Sequence, residues 1–136
     1  APQLLRWADV PALQPWRLLG LALAVVGFAL LQWSQQALSV NWSDAPRLVA
    51  GQVLTVSGPY RWIRHPIYAA FLLILSAPLL LSGNLALGLP WILATALDVS
   101  ARIEVEERLL QAEFGEAYRE YGQRTGRIIP HTVNPC

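Results

Sequence analysis

Lysine is absent from these 136 residues, and all ten basic side chains are arginine. Nine acidic residues bring the net charge to +1, so no basic tract is available to neutralise a nucleic-acid backbone. Charge of either sign is scarce, at 14% of residues against about 25% in an ordinary soluble domain. Hydrophobic residues make up 54% and mean hydropathy is +0.38, which excludes a disordered chain and a collagen-like fibre. The single cysteine, Cys136, is the last residue. It can close no disulfide within the chain and form no Cys-rich metal site or prenylation box. His65 and His131 are the only histidines, and neither HExxH nor a Cys/His cluster supplies ligands for a catalytic zinc. The nine glycines form no GxGxxG and no P-loop, and no GxSxG elbow is present. What remains is one small membrane domain.

The charges are clustered, and the gaps locate the bilayer. Between Arg17 and Asp44 lie 26 uncharged residues, flanked by Trp16 and Trp42 as interfacial anchors would be. A helix of that length, roughly 39 Å, crosses a ~30 Å hydrocarbon core. From Pro66 to Leu97 there are 32 more uncharged residues. Pro78 and the Ser82-Gly83-Asn84 turn divide this stretch into a helical hairpin with arms at 67–81 and 85–108. Both ends of the hairpin lie on one side with Arg47, Arg61, Arg64, Arg119, Arg124 and Arg127, which makes that side cytoplasmic. Phe114, Tyr118 and Tyr121 fall at helical spacing in an amphipathic C-terminal helix ended by Gly122 and Gly126. The fold class expected is therefore all-α and integral to the membrane: one spanning helix, a helical hairpin and a cytoplasmic amphipathic C-terminal helix. The corresponding divisions are a lead segment at 1–16, a span at 17–42, a loop at 43–66, the hairpin at 67–108 and a C-terminal cap at 109–136. N-terminal helices preceding this sequence are also expected.

Two polar segments meet at the cytoplasmic end. The first, GQVLTVSGPYRWIRHPIY, opens with strand-like or extended residues, and Ser57-Gly58-Pro59 marks a turn. Pro66 disfavours helix at His65 and starts the next helix. Tyr60, Arg61, Arg64, His65 and Tyr68 are thus presented at a helix N-terminus, which suits an anion as well as an interfacial anchor. In the second segment a helical wheel places Asp98, Arg102 and Glu106 on one stripe bracketed by apolar residues. That stripe points inward and reads as a functional pair, with a simple structural ion pair as the alternative. Glu104, Glu107, Arg108 and Gln111 occupy the opposite arc as a solvated face.

The block SGPYRWIRHPIY, followed about 35 residues later by RIEVEERLLQAEFGEAYREYGQRTGRIIP, resembles the isoprenylcysteine carboxyl methyltransferase family. Its pattern runs G-x-Y-x-x-x-R-H-P-x-Y, R-x-E-x-E-E, F-G-x-x-Y-x-x-Y and a terminal apolar-Pro, and all of these stand here in order over residues 41–130. The resemblance implies a membrane enzyme that uses S-adenosyl-L-methionine and acts on a lipophilic or lipidated acceptor. It further implies that Gln52, Val53, Leu54 and Thr55 contact the cofactor largely through backbone. Tyr60, His65, Pro66, Ile67 and Tyr68 would line the cofactor pocket, Glu106 would hold the cofactor side, and Arg102 would face the substrate carboxylate. Arg102 and Glu106 are accordingly the candidate catalytic pair. No metal and no nucleic acid enter this reading. Membrane lipids are its surroundings, and the Ala/Leu-rich, all-Arg composition points to a bacterial inner membrane. An NADPH-dependent sterol-type reductase and a non-catalytic membrane scaffold are the alternatives.

Overall fold

The computed structural model describes residues 3–9, 14–38 and 53–131. Among the described residues the chain forms three α-helices and no strand: α1 (Gln14–Leu38), α2 (Pro66–Ser82) and α3 (Leu85–Arg124). Short 3-10 turns stand at Gln3–Ala8 and Gly58–Arg61. Residues 53–56, before Ser57, carry no regular secondary structure rather than a strand. The expected span at 17–42 corresponds to α1. Its last residues, with Trp42, lie outside the described residues, as do Arg47, Gln52 and Cys136.

α1 carries 25 residues with Arg17 as its one charge, and at 1.5 Å per residue it is roughly 37 Å long. Leu21, Val25, Val26 and Phe28 face outward from it, as Leu87, Leu89, Trp91 and Leu93 do from α3. Backbone groups in hydrocarbon must be bonded within the element, and a helix meets that demand while leaving such side chains to lipid. α1 and α3 are both long and apolar enough to cross a membrane.

The seam between α1 and α2 is made of small residues. Gly20, Gly27 and Ser34 recur every seven residues along α1, and all three are buried. Ala70 and Ala77 have the same spacing on α2 and are also buried. A Cβ placed on Gly27 would stand 2.7 Å from Ile74 Cγ1 and 3.1 Å from the Ala70 carbonyl oxygen. One placed on Gly20 would stand 3.2 Å from the Ala77 carbonyl oxygen. The two backbones therefore approach as closely as small side chains permit, which is how helices associate without a hydrophobic driving force. The pairing of Gly20 with Ala77 and Gly27 with Ala70 makes the helices antiparallel.

The hairpin turn uses two adjacent residues. Gly83 closes α2 in the left-handed region (φ 65°), and its amide donates to the Leu79 carbonyl at 3.0 Å. Asn84 opens α3 by accepting from the Leu87 amide at 3.0 Å, and its own amide group donates to Asp9 at 2.6 Å. The turn alone separates the arms. Pro78, expected to share in the division, lies inside α2. α3 then runs beyond position 108. It leaves helical geometry at Gly115 (φ 51°, ψ −120°) and resumes to Arg124, with Gly122 inside the helix rather than ending it.

The loop before α2 packs on the end of α1. Trp62 meets Trp33 edge-on at 5.9 Å, and the Arg61 guanidinium lies 5.0 Å from the Trp62 ring. Gly58, at φ 56°, turns the chain where a Cβ would come 2.8 Å from Ala37 Cβ.

The seam is tested by Gly27→Leu, which should destabilise the protein by about 1–3 kcal/mol through overpacking. Phe28→Leu, on the outward face, should stay within roughly 0.5 kcal/mol of the parent. Thermal unfolding in detergent micelles, followed by circular dichroism, compares the two. Equal effects would mean that α1 and α2 are not closely packed.

Candidate functional site

The Arg64-His65-Pro66 sequence sets the geometry. Pro66 takes the first helical position of α2, where its missing N–H costs nothing, and His65 becomes the N-cap residue. A cap residue is held off the helical path (φ −124°, ψ 59°), so its side chain is directed across to α3. The segment 62–65 then pairs with the tail that follows α3. The Gly126 amide donates to the Trp62 carbonyl at 3.1 Å, the Arg64 amide to the Gly126 carbonyl at 2.8 Å, and the His65 amide to the Arg127 carbonyl at 2.9 Å. Tyr121 adds a hydroxyl bond to the Tyr60 carbonyl at 2.6 Å. At Gly126 a Cβ would collide with the Ile129 carbonyl oxygen, so the tail can turn back there only with glycine.

Glu107 is the centre of this clamp. Its Oε1 accepts from Arg64 Nε at 3.2 Å, His65 Nε2 at 3.2 Å and Arg127 Nε at 3.2 Å. Its Oε2 accepts from Arg127 Nη2 at 2.6 Å. Hydrogen bonding to Glu107 raises the pKa of Arg127 above its ordinary value. Arg64 also donates through Nη1 to the carbonyls of Gly122 at 2.7 Å and Thr125 at 2.6 Å. A cation thereby satisfies carbonyls at the end of α3, where the helix dipole favours it. The wheel placed Glu107 on a solvated arc. In the structure only 21% of its side chain is exposed, because three donors from distant segments converge on it.

Glu106 stands on the other side of His65, with its Oε2 3.7 Å from Nδ1. Tyr68, in the first turn of α2, stands near Glu106, and its ring lies 5.8 Å from that of His65. Burial pushes the Tyr60 phenol well above its ordinary value, and the nearby Glu106 carboxylate adds to the shift. Tyr60 is therefore a neutral hydroxyl at any physiological pH. The structure thus gathers Tyr60, His65, Tyr68 and Glu106, with Pro66 buried beneath them and Ile67 half-buried alongside. Val53, Leu54 and Thr55 lie in the irregular stretch that leads into the Gly58 turn, with Val53 exposed.

Arg102 is one helical turn before Glu106. It pairs with Asp98 at 2.8 Å, and the two side chains are 43% and 62% exposed. The stripe of Asp98, Arg102 and Glu106 therefore borders an open face and does not enter the packed interior. The buried centre of α3 falls on Val99 and Ile103. On the wheel these lie at roughly 100° and 140° from Asp98, with Glu106 and Glu107 on either flank of them. Glu107 and Arg127 are the members of this site that sequence reasoning did not single out, while Arg64 was read only as part of the loop at the helix N-terminus. The available signal was the doublet of two acids facing Arg64-His65.

The sequence model of the isoprenylcysteine carboxyl methyltransferase family matches residues 19–112. The chain is 33% identical over 95 residues to the uncharacterised protein YpbQ of Bacillus subtilis, a match covering 68% of this chain and 56% of that one. It is 36% identical over 72 residues to methanethiol S-methyltransferase 1 of Bradyrhizobium diazoefficiens, covering 52% of this chain and 24% of that one. In three dimensions it is similar to a solved eukaryotic intramembrane Ras methyltransferase, isoprenylcysteine carboxyl methyltransferase. That match has a TM-score of 0.78 at 26% identity and covers 84% of this chain and 42% of that one. The chain thus spans about half, or less, of the length of these relatives.

Removal of the Glu107 carboxylate in Glu107→Ala leaves two guanidinium groups and an imidazole without their common acceptor. It should cost about 2–3 kcal/mol, the scale of hydrogen bonds to charged groups. Amides 64, 65 and 126 should exchange faster with deuterium in that variant, while those of the α1–α2 seam keep their protection. Uniform loss of protection, or none, would show that Glu107 does not hold this clamp.

Proposed function

Because the chain belongs to the isoprenylcysteine carboxyl methyltransferase family, we propose that it is a membrane-embedded methyltransferase. It moves a methyl group from S-adenosyl-L-methionine to an anionic acceptor on a lipophilic body. The observation that carries this reading is the convergence of Tyr60, His65, Tyr68 and Glu106 from the loop, α2 and α3, one helical turn from an open arginine. The residues fit the cofactor. A carboxylate beside three rings complements a sulfonium and an ammonium group, and aromatic faces attract cations. Relatives are named as a methanethiol S-methyltransferase and a protein-S-isoprenylcysteine O-methyltransferase, which supports an acceptor atom that is oxygen or sulfur.

The cofactor supplies an electrophilic methyl group. The chain's own residues do the positioning. Glu106 would hold positive charge against α3, beside Tyr68. Arg102 presents donors in a fork that matches a carboxylate, from a position open to the surface. An acceptor carboxylate, with an ordinary pKa of about 4, is already ionised at neutral pH, so that acceptor needs no general base. The remaining contribution is alignment and exclusion of water, terms worth up to roughly 7–11 kcal/mol when the geometry is right. Arg61, Arg64, Arg119, Arg124 and Arg127 share the end of the hairpin that bears this cluster. By the positive-inside rule this supports a site on the cytoplasmic face, in keeping with the bacterial inner membrane expected from the composition. A sterol-type reductase and a scaffold are not favoured by the family membership.

Calorimetry on protein in nanodiscs should give micromolar binding of S-adenosyl-L-methionine and its demethylated product, and none of NADPH. Glu106→Ala should weaken that binding about tenfold or more, a loss of about 1.4 kcal/mol. Binding of NADPH alone, or of nothing, would overturn the assignment. Arg102→Ala should keep cofactor affinity within about threefold while turnover with an isoprenylcysteine analogue falls about 100-fold. Equal loss of cofactor binding would instead put Arg102 on the cofactor side.

A further inference from the structure

Glu107 touches the open cluster through His65, which stands between it and Glu106. A carboxylate ion offers only lone pairs, and this one accepts from two arginines as well. The His65 nitrogen that faces it at 3.2 Å, Nε2, must therefore carry a proton. That bond sets the ring plane, and it directs Nδ1 toward Glu106 and the cluster. The main chain of His65 is held by the same tail, through the bond from its amide to the Arg127 carbonyl at 2.9 Å. Main chain and ring are thus fixed from one side.

We propose that Glu107 is a positioning residue: it sets the tautomer and orientation of His65, and through that ring the geometry of the cofactor pocket. Its bonds to Arg64 and Arg127 hold the tail, and its bond to Nε2 holds the ring, so the two duties are separable. The affinity consequence rests on the methyltransferase reading. The tautomer consequence does not.

Two substitutions divide the duties. Glu107→Gln keeps a carbonyl acceptor for Nε2–H but removes the charge that holds the arginines. Glu107→Leu removes both at similar volume. Both variants should lose thermal stability. Only Glu107→Leu should weaken S-adenosyl-L-methionine binding by tenfold or more, because loss of alignment by about an ångström is enough for such an effect. Glu107→Gln should remain within threefold of the parent. In a His65→Ala background the leucine substitution should cost no further affinity while still lowering stability, since coupled residues are not additive. The second readout needs no ligand. The chain has two histidines, so ring nitrogen-15 spectra of histidine-labelled protein in nanodiscs contain two ring systems, and His131→Gln assigns them. The Nε2-protonated signature of His65 should persist in Glu107→Gln and be lost in Glu107→Leu. An unchanged His65 signature in Glu107→Leu overturns the proposal. So does affinity that merely follows stability across both variants. A parent protein that shows the tautomer change in Glu107→Leu but binds no adenosyl ligand overturns the methyltransferase reading and leaves the positioning role in place.

Discussion

One carboxylate ties together three parts of the chain. Glu107 is 42 residues from His65 and 20 from Arg127, and its two oxygens receive donors from the loop before α2 and from the tail after α3. Were this anion unpaired at its depth it would be costly, and so would the cations facing it. Together they satisfy one another, and the backbone pairing of 62–65 with 126–127 follows from that alignment. The candidate site sits directly on the clamp. His65 belongs to both, which places the packing of the tail and the chemistry of the open face on the same side chain.

The membrane part of the molecule supports the clamp by a different kind of force. α1 and α2 adhere through close backbone approach, and α2 and α3 through the Gly83–Asn84 turn. At that turn a buried asparagine satisfies Leu87, and Asp9 satisfies the asparagine. None of these contacts involves the residues of the cluster. The hairpin fixes where the first turn of α2 and the charged part of α3 stand relative to one another, which brings Tyr68 to Glu106. Loop and tail then close over the end. Most of the large apolar side chains outside these seams point outward, which a lipid solvent tolerates and water would not.

The spans and the hairpin were legible because charge is absent over long stretches and because glycine followed by asparagine has one structural use. Tyr60, His65, Tyr68 and Glu106 were legible as candidates from the order of short motifs, and the geometry brings them together. What a single helix could not reveal was its own inward direction. The wheel treats the arc richest in charge as solvated, and so it placed Glu107 in water. Its partners, however, come from a loop and a tail that helical periodicity does not see. Conversely, Arg102 and Asp98 were expected inside and are found on an open face, since the buried centre of this part of α3 falls on Val99 and Ile103. The helix through Gly122 was obscured for a related reason. Glycine is a poor helix former in isolation, but here its carbonyl is held by Arg64.

α2 has 17 residues, about 26 Å of helix, and it bears the site at its first turn. The hydrocarbon core is about 30 Å thick, and a short helix is accommodated by local thinning of the bilayer. Because Gly83 and Asn84 hold the other end of α2 in a closed turn, the shortfall falls at both faces of the membrane. The first turn of α2, with His65 and Tyr68, is then sunk toward the acyl chains. The loop and the tail that close over that turn then meet the headgroups rather than standing clear of them in water.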